Sequence, residues 1–401
     1  MLFRSTVWEN AQPTLRLGVG QGSAMAIGHN GNLVNTGELV ARLRGGTDLL
    51  AATTDTDVLT ALLDEDHRER GGDLVETLLR VLPDVKGAYS LVVLEPSRVI
   101  GIRDPHGFRP LALGRIPLPG DAGDAWILSS ETAGLDIVGA EYVREVEPGE
   151  LVILEPGREP VSRRFAPAHP ALCVFELIYF ARPDSYLEGR NLYEARRQMG
   201  MRLAAEHPAA ADLVMPVPDT GAPAAAGYAE ASGIPYREGL VRNRYTGRTF
   251  IQPSQVMRQR GVTIKLNPLR EVVRGKRLVV VDDSIVRGTT TKQIVALLRR
   301  AGAAEVHVRI SAPPIYHPCF YGIDTQVETE LIAATSSAEE IRAFIGADSL
   351  GYLSIAGVLA GLDLPYERFC FACFDGQYPE PVPYDSTSHK FVLEGAVGAR
   401  G

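Results

Sequence analysis

Apolar and polar positions fall into two regimes along the chain. In the first 164 residues, short apolar runs are bounded by turn residues. Ala88–Leu94 and Arg98–Ile102 are two such runs, and Glu95-Pro96-Ser97 between them is a turn signal, so the pair predicts a β-hairpin. Leu111–Gly114, Ala125–Ser129 and Glu150–Leu154 predict further strands, whereas Asp57–Leu63 and Gly72–Leu82 carry helical spacing. The pattern predicts an α+β domain dominated by antiparallel sheet.

Phe165-Ala166-Pro167-Ala168-His169-Pro170 marks a boundary, and beyond it the regime changes. Asp212–Val217 predicts a strand, Gly221–Ser232 a helix of small residues, Arg277–Asp283 an apolar strand, Thr290–Ala301 a helix and Glu305–Ser311 another strand. Strands alternating with helices at this spacing predict an α/β domain with a parallel sheet. Glu339–Ile345 predicts a helix opened by a capping box of Ser336 with Glu339. The division is therefore 1–164, 165–383 and a polar tail, 384–401, expected to fray.

Composition narrows the class. With 401 residues, 45% of them hydrophobic and a net charge of −8, the chain can bury a large core and is not disordered. The acidic balance argues against nucleic acid as a partner. The longest charge-free apolar run lies near Gly351–Leu362, short of the ~20 residues a bilayer needs, so no membrane span is expected. Met1–Thr6 lacks the basic region and apolar core of a signal peptide, and the expected compartment is the cytoplasm. Four cysteines are too few for a disulfide scaffold.

The sharpest motif is Val279-Val280-Val281-Asp282-Asp283-Ser284-Ile285-Val286-Arg287-Gly288-Thr289-Thr290-Thr291. An apolar strand ends in two carboxylates, then a loop, then a helix. Ligands of open α/β sheets bind beyond the carboxyl ends of strands. The helix N-terminus offers unpaired N–H groups and a positive dipole end, suited to a phosphate. Gly288 permits close backbone approach, and Thr289, Thr290 and Thr291 add hydroxyls. Two carboxylates beside a phosphate cradle make sense if they bind sugar hydroxyls or Mg²⁺.

This string resembles the 5-phosphoribosyl 1-pyrophosphate (PRPP) motif of type I phosphoribosyltransferases. Pro218-Asp219-Thr220-Gly221, the segment Asn243–Ser254 and Lys265-Leu266-Asn267-Pro268-Leu269 narrow the resemblance to the amidophosphoribosyltransferase family. The resemblance implies the committed step of purine synthesis, in which glutamine, PRPP and water give phosphoribosylamine, glutamate and pyrophosphate. It implies that Asp282 and Asp283 hold the ribose hydroxyls and one Mg²⁺ per subunit, with Thr220 a further Mg²⁺-site residue. Ser284, Ile285, Val286, Arg287, Gly288, Thr289, Thr290 and Thr291 would cradle the 5-phosphate. Arg242–Gln252 would be a mobile flap, in which Arg242, Arg244 and Arg248 suit pyrophosphate, Tyr245 shields and Gly247 hinges.

Cys370-x-x-Cys373 is a metal-like pair, with Cys319 and Cys173 distant in sequence. The spacing alone leaves zinc, a redox pair or buried core open. The resemblance implies one [4Fe–4S] cluster per subunit, held by Cys173, Cys319, Cys370 and Cys373 in a structural role.

In the first half, His29-Asn30-Gly31-Asn32 resembles the oxyanion-hole segment of the family's glutaminase domain, an N-terminal-nucleophile-type α+β fold, although Asn-Gly by itself is a turn dipeptide. The resemblance implies that Asn30 and Gly31 stabilise a tetrahedral intermediate and that Asp55 binds the glutamine amino group. Arg103–Leu111 also matches and reads as structural or interdomain. The family's nucleophile is a cysteine at the mature N-terminus. Here the first cysteine is Cys173 and the resemblance begins near Trp8, so the first domain reads as truncated. The expectations are ammonia-dependent rather than glutamine-dependent activity, and a first domain less stable than the second because of an unpaired sheet edge. The family further implies a homo-oligomer, tetramer or dimer, and inhibition by purine nucleotides. The rival reading is a non-catalytic PRPP-binding regulator.

Overall fold

The computed structural model describes residues 8–19, 23–120, 123–243, 266–323, 325 and 327–382. The predicted hairpin is present as β3 (Gly87–Glu95) and β4 (Arg98–Arg103), paired from Glu95 with Arg98 at the turn to Ser90 with Arg103. They sit inside an antiparallel sheet ordered β1-β2-β3-β4-β8-β9, with β1 Thr14–Val19, β2 Ser23–Leu33, β8 Glu150–Leu154 and β9 Val161–Arg164. A second antiparallel sheet, ordered β6-β5-β7, contains β5 (Ala112–Pro117), β6 (Asp124–Ser129) and β7 (Glu141–Glu145).

Strand alternation sorts the apolar side chains into two layers. Met25, Ile27, Leu91, Val93, Ile100, Ile102, Leu151 and Ile153 pack with Val58, Leu59 and Leu63 of helix Asp55–Arg70 and Leu74 and Leu78 of helix Leu74–Val81. The opposite positions, Val92, Val99, Val152 and Leu154, pack with Leu111 and Leu113 and with Trp126 and Leu128 of the smaller sheet. Thr54 caps the first of these helices by accepting from Asp57 N–H, and Asp73 with Glu76 forms a capping box on the second.

The second domain is built on a four-stranded parallel sheet ordered β13-β16-β17-β18. Its strands are β13 (Leu213–Pro216), β16 (Arg277–Asp282), β17 (Glu305–Ile310) and β18 (Ser349–Tyr352). Val279, Val280 and Val281 of the central β16 are fully buried, which is why that strand reads as an unbroken apolar run. Helix Ala222–Ser232 packs on β13 and β16, helix Leu192–Glu206 packs between it and Ile355–Leu362, and Thr289–Arg300 packs with Ala338–Ile345. Smaller pairs complete the domain: β10 (Leu172–Cys173) with β19 (Phe369–Cys370) in parallel, and β11 (Tyr186–Leu187) with β12 (Arg190–Asn191) and β14 (Leu240–Arg242) with β15 (Leu266–Pro268), both antiparallel.

One local expectation is corrected, and one alternative is removed. The capping box opening Ala338–Ile345 is Ser337 with Glu340, one residue beyond the Ser336 and Glu339 expected. Adjacent Ser-Ser and Glu-Glu pairs satisfy the spacing twice, and only the backbone geometry selects between them. Asn30-Gly31 is not a turn: both residues lie within β2, opposite Ser90 and Tyr89 of β3. Among the described residues no helix is long and apolar enough to cross a membrane.

Candidate active site

The carboxyl ends of β13 and β16 meet where the sequence placed the PRPP site. Val217 N–H donates to Val281 C=O at 2.8 Å, so the loop after β13 lies against the end of β16. Thr220 Oγ1 donates to Asp283 Oδ2, and Ser284 Oγ donates to Asp283 Oδ1 at 2.7 Å. Asp282 accepts from the Asp283 N–H at 3.0 Å. Burial and the adjacent Asp283 push the Asp282 carboxyl well above the ordinary carboxylate range. Burial also raises Asp283, against the hydroxyls of Thr220 and Ser284 and the positive Arg196, which favour its ionised form.

The loop that follows is shaped for the helix it opens. Gly288 has φ +71° and is the N-cap of Thr289–Arg300, a conformation that favours glycine. Ile285 and Thr291 are buried, while Arg287, Thr289 and Thr290 face solvent. Arg242, at the end of β14, donates to Asp219 Oδ2 at 2.6 Å, beside Thr220. Arg244, Tyr245, Gly247 and Arg248, the other expected flap residues, lie outside the described residues.

In the first domain, the candidate glutamine-site residues come together. Asp55 accepts from Leu33 N–H at 3.0 Å, which ties it to the strand bearing Asn30 and Gly31. His29 Nδ1 lies 3.7 Å from Asp55 Oδ1. Gly31 has φ +152°, and a Cβ there would come within 1.9 Å of Ala88 C=O. Sequence reasoning missed Asp57, which is fully buried and accepts from the N–H groups of Ala51 and Ala52 at 2.7 and 2.9 Å. Thr-Asp-Thr-Asp reads as a helix start, and nothing local separates Asp55 from Asp57 in role.

The four cysteines, dispersed over 173–373, converge. Cys173 on β10 stands in register with Cys370 on β19, and the backbone of Cys373 accepts from the N–H groups of Tyr316 and His317 at 3.0 Å, near Cys319 in chain. All four are buried and free of disulfides. Burial, with charge repulsion from the other thiols, holds Cys370 and Cys373 well above the ordinary thiol range, and burial pushes Cys173 up to about 12. Four thiols make a soft donor set, which binds a soft metal only once the thiols are deprotonated. As they stand, among the described residues no group of three or more His, Cys, Asp or Glu is arranged to hold a metal ion.

Two buried arginines brace this region: Arg109 joins the two domains, and Arg196, which sequence reasoning missed, holds a loop within the second. Arg109 Nη1 donates to Glu176 Oε1 at 2.6 Å, both side chains being almost wholly buried. Arg196 donates to the carbonyls of Leu177 and Ala181 at 2.8 and 2.7 Å, and burial lowers it to about 10. Partners 67 residues apart carry no local signature. Arg103–Leu111 does have the interdomain role expected, through Arg109.

Fold and site together define an enzyme with a glutamine amidotransferase domain followed by a phosphoribosyltransferase domain. Residues 5–136 match the glutamine amidotransferase domain family and residues 184–318 the phosphoribosyl transferase domain family. The chain is 52% identical to the amidophosphoribosyltransferase of Mycobacterium leprae, over 97% of this chain and 70% of that protein. It is 47% identical to that of Bacillus subtilis, over 94% of this chain and 78% of that protein. The solved glutamine PRPP amidotransferase from B. subtilis, complexed with ADP and GMP, superposes with a TM-score of 0.86, covering 95% of this chain and 82% of that chain. The chain belongs to the amidophosphoribosyltransferase family. The regulator reading is not favoured by these relatives.

Proposed function

We propose that this chain forms 5-phosphoribosylamine from PRPP in the first committed step of purine synthesis, and that these 401 residues take their nitrogen from ammonia. The observation that carries the reading is the Thr220–Asp283–Ser284 hydrogen-bonded set at the head of the Ser284–Thr291 loop. An oxygen-only donor set of Asp282, Asp283 and the Thr220 hydroxyl suits a hard cation, and these residues would hold one Mg²⁺. When bound, Mg²⁺ neutralises charge on the pyrophosphate leaving group.

The chain's own residues do the rest. Backbone N–H groups at the start of the Thr289–Arg300 helix and the hydroxyls of Thr289, Thr290 and Thr291 bind the 5-phosphate. Asp282 and Asp283 orient the ribose hydroxyls and stabilise positive charge growing on the ring. The ammonia nitrogen forms a bond to the anomeric carbon as the carbon–oxygen bond to pyrophosphate breaks, and one proton is lost from nitrogen. Arg242, which donates to Asp219 beside Thr220, contributes its charge to binding pyrophosphate.

The same reading assigns Asn30 and Gly31 to an oxyanion site and Asp55 to the glutamine amino group. The earliest cysteine in the sequence is Cys173, so these residues supply no thiol nucleophile to that site. Cys173, Cys319, Cys370 and Cys373 would hold one [4Fe–4S] cluster that ties the domain entry to the C-terminal segment. Purine nucleotides are the expected inhibitors, and a dimer or tetramer the expected assembly.

The test is pyrophosphate release from PRPP and Mg²⁺ with ammonium or with glutamine as nitrogen donor. Turnover with ammonium alone is expected. Turnover with glutamine overturns the assignment of nitrogen source, and turnover with neither overturns the catalytic reading.

A further inference from the structure

The loop after β16 is braced from outside. Val286 C=O accepts from Ile332 N–H at 2.9 Å. A Cβ placed on Gly288 would lie 3.0 Å from Ile332 Cδ1 and 3.2 Å from Phe344 Cε1, so this wall packs directly on the turn. Lys292 Nζ, in the first turn of the following helix, lies 4.3 Å from the centre of the Phe344 ring. The one charge pair across this contact, among the described residues, is Glu330 with Arg287, joined from Oε2 to Nη2. Glu330 ends the short helical turn Glu328–Glu330, two residues before Ile332.

A carboxylate at this place needs an explanation. Beside a cradle for a highly anionic ligand, a negative charge acts against binding. It pairs with the only cation in the Asp282–Thr291 string, and so also withdraws that cation from the ligand. Both effects weaken PRPP binding. What offsets them is order: the pair anchors the side chain at the loop's exposed tip to a wall that already holds the loop backbone at Val286. A loop held in its binding shape loses less freedom when the phosphate arrives.

We propose that Glu330 is a positioning residue for PRPP: through Arg287 it holds the Ser284–Gly288 turn against the wall that carries Ile332 and Phe344. This rests on the reading of Ser284–Thr291 as the 5-phosphate cradle. Charge and positioning have opposite signs here, which makes the proposal decidable. Loss of a merely repulsive carboxylate tightens PRPP binding, and loss of a brace loosens it.

The experiment is steady-state kinetics with ammonium for Glu330→Gln, Arg287→Gln and the double variant, all in the full chain. A half-exposed pair of this kind is worth under about 1 kcal/mol, so KM for PRPP is expected to rise roughly two- to fivefold in Glu330→Gln. The rate at saturating PRPP should change less than KM does. The double variant should be no worse than the poorer single, because both changes remove one interaction. An unchanged or lower KM in Glu330→Gln, or additive effects in the double variant, overturns the proposal. If the wild-type chain releases no pyrophosphate, the catalytic reading fails separately. Calorimetric titration with PRPP and Mg²⁺ then decides: weaker binding in Glu330→Gln supports positioning, and equal or tighter binding, or no binding by the wild type, overturns it.

Discussion

Thr220 Oγ1 donates its hydrogen bond to Asp283 Oδ2, joining two loops whose residues are 63 apart in sequence. The bond fixes which way the Asp283 carboxylate faces before any cation arrives. Thr220→Val keeps the shape and removes the donor. A charge-assisted bond of this kind is worth about 1.5–3 kcal/mol, so KM for PRPP with Mg²⁺ should rise by about tenfold or more, measured by pyrophosphate release.

Asp104 is fully buried and accepts from the N–H groups of Tyr89 and His106 at 3.1 and 2.9 Å. Burial raises its carboxyl from 3.8 to about 6. A raised folded-state value stabilises the fold below the unfolded-state value, and that stability is lost as pH rises through the folded-state value. The unfolding midpoint should therefore lose a contribution between about pH 4 and pH 6 that Asp104→Asn lacks. Parallel melting curves of the two proteins check this, and parallel slopes would contradict it.

The Arg109–Glu176 pair lies in the seam between the domains. Removing one partner leaves the other charged and buried, at a cost of about 3–5 kcal/mol. Arg109→Met and Glu176→Leu should each lower the denaturant midpoint sharply, and the double variant should recover most of the loss. Additive losses would show that the two side chains act independently.

Each cysteine of the buried set should matter for iron. In protein reconstituted under anaerobic conditions, Cys319→Ser is expected to reduce bound iron per chain and visible absorption, as should Cys173→Ser. Bound iron equal to the wild type would assign the thiols to packing instead.

β1 is the outer strand of its sheet among the described residues, and Leu15 on it is 56% exposed. An edge of this kind opens early. Amide hydrogen exchange should be faster in β1 and β2 than in β13, β16 and β17. Equal protection in the two domains would remove the expectation that the first is weaker.

Local chemistry made much of this protein legible from its residues alone. Turn residues between apolar runs place β3 and β4, and the unbroken Val279–Val281 run marks a strand buried on both faces, because these signals lie within a few neighbouring positions. The Asp282–Thr291 string was legible for the same reason: strand end, carboxylates, glycine and helix start are contiguous. Tertiary structure alone decided the rest. Ser337 rather than Ser336 caps its helix because a one-residue choice depends on backbone geometry. Cys173 meets Cys370, Arg109 meets Glu176 and Glu330 meets Arg287 only after the chain has folded. Interactions between residues far apart in sequence leave no periodic trace, since nothing but the packing of whole elements brings them within hydrogen-bonding or van der Waals range.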